Sequence, residues 1–199
     1  LAVPLQIGVQ LLPTLFRDFK NLYPEIELEV VEAGGIDSLR MIENEELDLA
    51  VTNYDDSFSP NLHYRKLFKS EACFCTYPDH PLAQKKYVDT KDIANEPLVL
   101  LNGGFFVNRL IYQNFQQALT APKVILHSSQ LHTVKNLISS QIASSFLMRQ
   151  AITASDNIIP LSLKKPLFIN SGIVTKRGRQ IYGDEQKLIE FICDNQPLG

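Results

Sequence analysis

The feature that most restricts the fold of this chain is a change of apolar period that recurs within its first fifty residues. "LQIGV" (5–9) reads as a short buried strand, and the stretch from Leu12 to Tyr23 then sets Leu12, Leu15, Phe16, Phe19, Leu22 and Tyr23 at helical spacing. Pro13 suits the first turn of that helix and Pro24 stops it, because proline brings no amide to an interior position. "IELEVVE" alternates Ile26, Leu28 and Val30 with Glu27 and Glu29. Gly34 and Gly35 break this run before a helix through Leu39, Ile42 and Glu46, and "LDLAVT" (47–52) is a third strand. Strand, helix, strand, helix, strand over so short a span requires parallel strands joined by right-handed crossovers. The fold class is α/β with an open sheet.

The alternation then pauses and restarts. "LHYRKLFKSEACFCTY" (62–77) supplies two extended segments, followed by the polar, proline-marked "DHPLAQKKYVDTKDIANE". "PLVLL" (97–101), a turn at Gly103–Gly104 and a helix carrying Val107, Leu110, Ile111, Phe115, Ala118 and Leu119 begin a second series. "KVILHSS" (123–129), a helix with Leu131, Val134, Leu137 and Ile138, and the strand "ASSFLM" complete a smaller repeat of the first half. "PLFINSGIVTK" (166–176) is a further strand, and a last helix aligns Leu188, Phe191 and Ile192. Two similar lobes are the economical reading.

Charge removes some functions. With 19 basic and 22 acidic residues the formal charge is −3, so no global field draws in nucleic acid or an anionic membrane. No apolar run approaches the ~20 residues of a membrane span, and "LAVPLQIGV" lacks the basic start of a secretory signal. Cys73, Cys75 and Cys193 are an odd set, which fits a reducing compartment better than a disulfide framework. The expected location is cytoplasmic.

In order along the chain, "IGV…LLPTLFRDFKNLYPEIELEVVEAGGIDSLRMIENEELDLAV", "LFKSEACFCTYPDHPLA" and "IANEPLVLL" resemble the effector-binding domain of LysR-type transcriptional regulators. The resemblance spans nearly the whole chain. It implies two Rossmann-like lobes built like a type 2 periplasmic binding protein, joined by two crossing strands, with a small effector held between them. On this reading lobe one is 1–76 plus 169–199, lobe two is 77–168, and residues 72–77 are the first crossing strand. It also implies an antiparallel homodimer, or a homotetramer, and a winged helix-turn-helix before Leu1 through which alone DNA would be read. The apolar helix Leu12–Tyr23 could then offer surface beyond what its own core needs. Two departures stand out: "GVQLLP" is short where relatives carry more residues after the first strand, and Gln141 and Ala143 occupy places where the family often has glycine.

Other chemistries find little support in the residues. Cys73 and Cys75, at i and i+2 of a strand, lie too far apart along it for an undistorted disulfide, and His80 alone does not complete a four-ligand metal set. They read as small apolar residues. His63, His80, His127 and His132 are scattered, with no nucleophile motif nearby. The paired glycines belong to neither dinucleotide nor P-loop patterns. The acidic "ENEELD" (43–48) and Asp55–Asp56 lack calcium-loop spacing and read as a solvated face. No cofactor and no metal are implied, and a receptor is expected rather than an enzyme. A solute-binding protein serving a membrane permease is the rival of the same architecture.

In open parallel sheets ligands lie beyond the carboxyl ends of the strands, where helix N-termini present unpaired amides and a positive dipole end. An anion is favoured there without any lysine cluster. The turns so placed are Gln10–Leu11, Gly34–Gly35 and Thr52–Asn53 in lobe one, and Asn102–Gly103–Gly104 and Ser128–Ser129–Gln130–Leu131 in lobe two. Ser129 stands where an N-cap would precede the helix of Leu131, and Arg149 could pair with an acidic ligand. Pure capping for the one and a surface salt bridge for the other are the plain alternatives.

Overall fold

The structure is a computed structural model that describes residues 1–54, 58–102, 104 and 106–195. The chain divides into two compact units, Leu1–Lys69 with Asn170–Gly199, and Ser70–Ile169. Two strands carry the chain between them, β4 (Leu62–Thr76) on the way out and β9 (Leu167–Lys176) on the return. The two extended segments expected over 62–77 are thus one long strand.

In unit one, β1 (Ala2–Val3) lies between β2 (Val31–Glu32) and β3 (Leu49–Tyr54), both parallel to it. β9 runs antiparallel to β3, and β4 follows it in the sheet. The expected strand at 5–9 is instead helix: α1 spans Leu5–Thr14 and continues through a π segment, Leu15–Phe19, to a last turn at Lys20–Leu22. Five apolar-leaning residues fit either period; what decides is that Ile7, Leu11, Leu15 and Phe19 recur every fourth residue and are all buried in the core. Pro13 therefore sits inside α1, not in its first turn. It has no amide to donate, and the ladder widens directly after it, where the Lys20 N–H reaches back to the Leu15 carbonyl.

Residues 26–30 keep the expected alternation of burial, with Ile26 inside and Glu27 and Glu29 outside, but strand pairing begins only at Val31. Helix α2 (Gly35–Glu43) buries Leu39 and Ile42. The core closes around Leu1, Val3, Val51, Ile173 and the C-terminal helix α5 (Gly183–Asp194), whose Phe191 meets Phe19 edge-on with ring centroids 5.3 Å apart.

Unit two pairs β5 (Pro97–Leu101) in parallel with β6 (Lys123–Ser128), and packs α3 (Phe106–Gln117) and α4 (Leu131–Ser139) as crossovers. β7 (Ser145–Met148) and β8 (Ile159–Leu161) pair antiparallel with the second half of β4. α3 stops before Ala118 and Leu119, and Leu119, expected on its apolar face, is 95% exposed.

Candidate functional site

Each unit places a set of helix starts at the carboxyl ends of its parallel strands. In unit one β1 ends at Val3, Pro4 alone makes the connection, and α1 begins at Leu5 with no side chain capping it. Gln10 and Leu11, expected in a turn, therefore lie within α1, and Leu11 is a core residue only 2% exposed. The strand here is β1, Ala2–Val3, so "GVQLLP" is part of α1 and not a loop that follows the strand. The residue in the first turn is Gln6, a polar side chain 2% exposed.

At the end of β2, Gly34 is the extended N-cap of α2 and Gly35 its buried first residue, again without a side-chain cap. At the end of β3, Thr52 is fully buried and its hydroxyl donates to the Asn53 carbonyl at 3.2 Å. Asn53 donates through Nδ2 to Ser171 Oγ at 2.8 Å, the two residues being direct partners across β3 and β9. Two strands of opposite direction thus meet in a buried polar pair.

In unit two Asn102 is exposed after β5, and its N–H donates to the Ser128 carbonyl at 2.9 Å. Asn108 of α3 donates through Nδ2 to the carbonyls of Leu101 (2.6 Å) and Asn102 (3.0 Å), which fixes this strand end. Gly103 lies outside the described residues, and Gly104 is half-buried in a turn. Ser129 is not the N-cap of α4: Gln130 is, and its N–H donates to Ser128 Oγ at 3.1 Å. Ser128 closes a tight serine turn, so the helix starts one residue later than expected, with Leu131 buried as its first residue. Arg149 is engaged within unit two, donating to Glu71 Oε2 at 3.0 Å and to Ser162 Oγ at 2.9 Å. It takes the salt-bridge role.

The helix starts differ in a way that bears on chemistry. α1, α2 and α4, which follow parallel strands, have no side-chain cap. Away from the strand ends, the start of α5 has Glu185 accepting from the Tyr182 N–H at 3.0 Å, and the turn at Ala154–Asp156 has Asp156 accepting from the Thr153 N–H at 2.6 Å. Carboxylates thus complete these two starts, whereas α1 and α4 have no acidic residue in the first turn and α2 has only Asp37, which pairs with Arg40 at 3.5 Å.

The remaining chemical groups are structural. His80 caps the turn Pro81–Gln84 by accepting the Leu82 N–H on Nδ1 at 3.1 Å, while Nε2 meets Glu96 at 3.1 Å. Cys73 and Cys75 are buried and free. Burial pushes the Cys73 thiol up to about 12 and raises Cys75 likewise, the opposite of an activated thiolate. Among the described residues no group of His, Cys, Asp and Glu could hold a metal ion, and no helix is long and apolar enough to cross a membrane. Asp55 and Asp56 lie outside the described residues.

Two α/β units linked by two strands, with helix starts gathered at strand ends, define a type 2 periplasmic-binding-protein-like effector domain. The chain belongs to the LysR substrate binding domain family, whose model matches residues 1–196. It is 26% identical over 198 residues to the transcriptional dual regulator GltC of Bacillus subtilis, covering 95% of this chain and 64% of that protein. It is 29% identical over 100 residues to the HTH-type transcriptional regulator MetR of Salmonella typhimurium, covering 50% of this chain and 31% of MetR. The chain thus spans less than two thirds of the length of these relatives. Its fold is that of the effector binding domain of QuiR in complex with shikimate (TM-score 0.83, 19% identity, 98% and 94% of the two chains). It is equally that of the Synechocystis CcmR regulatory domain in complex with 2-PG (TM-score 0.87, 18% identity, 98% and 94% covered).

Proposed function

We propose that this chain is the sensing part of a cytoplasmic transcriptional regulator that binds a small anionic metabolite and performs no catalysis. The observation that carries this reading is the set of helix starts at strand ends: α1, α2 and α4 have no side-chain cap, whereas Glu185 and Asp156 accept backbone N–H groups at the start of α5 and of the turn Ala154–Asp156. The two relatives of known fold whose structures hold shikimate and 2-PG support an acidic ligand by analogy. Each unit offers its own candidate set of strand-end residues: Gln6, Gly34, Gly35, Thr52 and Asn53 in unit one, and Asn102, Gly104 and the Ser128–Leu131 turn in unit two.

DNA would be read by a segment outside this chain, as in relatives described as HTH-type regulators. The working form is a homodimer or homotetramer. Each unit exposes apolar surface that its own core does not use: Phe16 and Leu22 on the helix that opens unit one, and Ile125 and Leu126 on β6 of unit two. Ligand can bias such a regulator only through different affinities for its two states.

A thermal-shift screen with cellular carboxylates, amino acids and phosphate esters tests the reading, since a ligand of the folded form alone raises apparent stability by mass action. A carboxylate that raises the melting temperature of the chain but has at least tenfold weaker affinity for Asn53→Ala supports it. A screen without any hit, or a hit indifferent to both Asn53→Ala and Gln6→Ala, counts against it.

A further inference from the structure

Unit two contains a cavity of about 340 Å³ that lies outside the strand-end positions described above. Its walls carry Lys91, Lys164 and Lys165 together with Thr90, Asn114 and Gln117. None of the three ammonium groups pairs with a carboxylate or carbonyl of the described residues. Asp89 is the one acidic residue in the lining, so three lysines against one aspartate leave an excess of two positive charges in a molecule whose net charge is −3.

The walls are held in place. Val88 bridges Leu163 in parallel fashion, its N–H donating to the Ser162 carbonyl at 3.0 Å and its carbonyl accepting the Lys164 N–H at 2.8 Å. This clamps the segment Asp89–Lys91 against Lys164–Lys165. Thr90, 8% exposed, donates to Asn114 Oδ1, which turns the Asn114 amide so that its Nδ2 donors are the part left over. Near the end of α3 the carbonyls of Asn114, Phe115 and Gln116 accept the N–H groups of Ala118, Thr120 and Leu119. Asp92, close by, is neutralised by Lys85 at 2.9 Å.

We propose that this cavity is a binding site for the phosphate group of a small molecule, separate from the strand-end site. Its size falls in the lower range of small-ligand pockets, and its concavity suits a compact anion rather than a duplex or a protein face. Its lining offers donors of two kinds, point-charge ammonium groups and amide N–H groups. No arginine is present to fork planar carboxylates in bidentate fashion, so a tetrahedral oxyanion is the better match. The rim continues past Asp89 and Lys164 to Lys86 and Tyr87, leaving room for the organic part of a phosphate ester.

The test is calorimetric titration of this chain with glycerol 3-phosphate, with inorganic phosphate and with a short DNA duplex, sodium chloride holding ionic strength constant. Saturable binding of the phosphates is expected. The exposed-site double variant Lys164→Ala/Lys165→Ala should weaken it at least tenfold, and Asn53→Ala should leave it unchanged. Tighter binding of glycerol 3-phosphate assigns the site to an ester, and equal binding assigns it to the free ion. The proposal is overturned by absence of saturable heat, by affinity retained in the double variant, by loss in Asn53→Ala alone, or by the duplex displacing phosphate and binding more tightly.

Discussion

At the scale of single residues, two positions make the energetics concrete. Gly172 lies in β9 where β4 passes so close that an added Cβ would stand 2.3 Å from the Arg65 carbonyl oxygen and 3.0 Å from Lys66 Cα. Both neighbours are backbone, which cannot swing aside. Gly172→Ala should therefore destabilise the chain by about 3 kcal/mol, at the upper end of overpacking costs, measured by urea unfolding. Asp156 is mostly shielded and 2.7 Å from Lys135 Nζ. Burial pushes its carboxyl up, but the hydrogen bonds from Lys135 and Thr153 outweigh this and hold it below the usual carboxylate range. A carboxyl depressed by folding contributes stability above its unfolded pKa, ~3.9, and loses it as pH falls through the folded value. Asp156→Asn should cost about 1 kcal/mol at pH 7, after allowing for solvent screening. Its unfolding curve should converge with that of the parent as pH falls through the depressed folded-state value, below the usual carboxylate range.

At the scale of elements, three helices end in the same way without the residue best suited to it. Glu46 N–H donates to Met41, Thr120 N–H to Phe115 and Ile142 N–H to Leu137, the six-to-one bond of a Schellman turn. The preceding residues, Glu45, Leu119 and Gln141, sit at φ 62°, 54° and 61°, in the left-handed region that favours glycine. Gln141 is exposed and Leu119 has almost no contact to lose. Leu119→Gly and Gln141→Gly should each stabilise the chain by about 1 kcal/mol, seen as a higher urea midpoint at unchanged slope. These turns were invisible in the sequence because no glycine marks them. By contrast, the helices carrying Leu39, Val134 and Leu188 were legible from an apolar period that runs over two turns or more, and β3 and β5 from the polar and glycine residues that bound their short apolar runs. The run at 5–9 was not: a short apolar stretch fits strand or helix, and only the tertiary stripe Ile7, Leu11, Leu15, Phe19 resolves it. The candidate site divides similarly. Gly34, Thr52 and Asn53 follow from the strand-end rule, whereas Gln6, Asn108 and Ser171 gain their significance from burial and from partners far along the chain.

At the scale of the whole molecule, the proposed homodimer would give the exposed apolar face of the first helix a partner. Phe16 and Leu22 are 54% and 64% exposed on a helix whose other face is core. Phe16→Glu should lower the sedimentation-equilibrium mass from dimer toward monomer without lowering the unfolding midpoint of the monomer, because the side chain makes no use of the core. The proposed binding rests on charge, an anion meeting helix starts that no side chain caps. The most direct measurement compares, by calorimetry, one carboxylate identified in the screen with its own primary amide, which preserves shape and removes the charge. The account predicts saturable binding of the carboxylate and at least a hundredfold weaker binding of the amide, about 2.7 kcal/mol by the tenfold rule. Equal affinity for the two would contradict it.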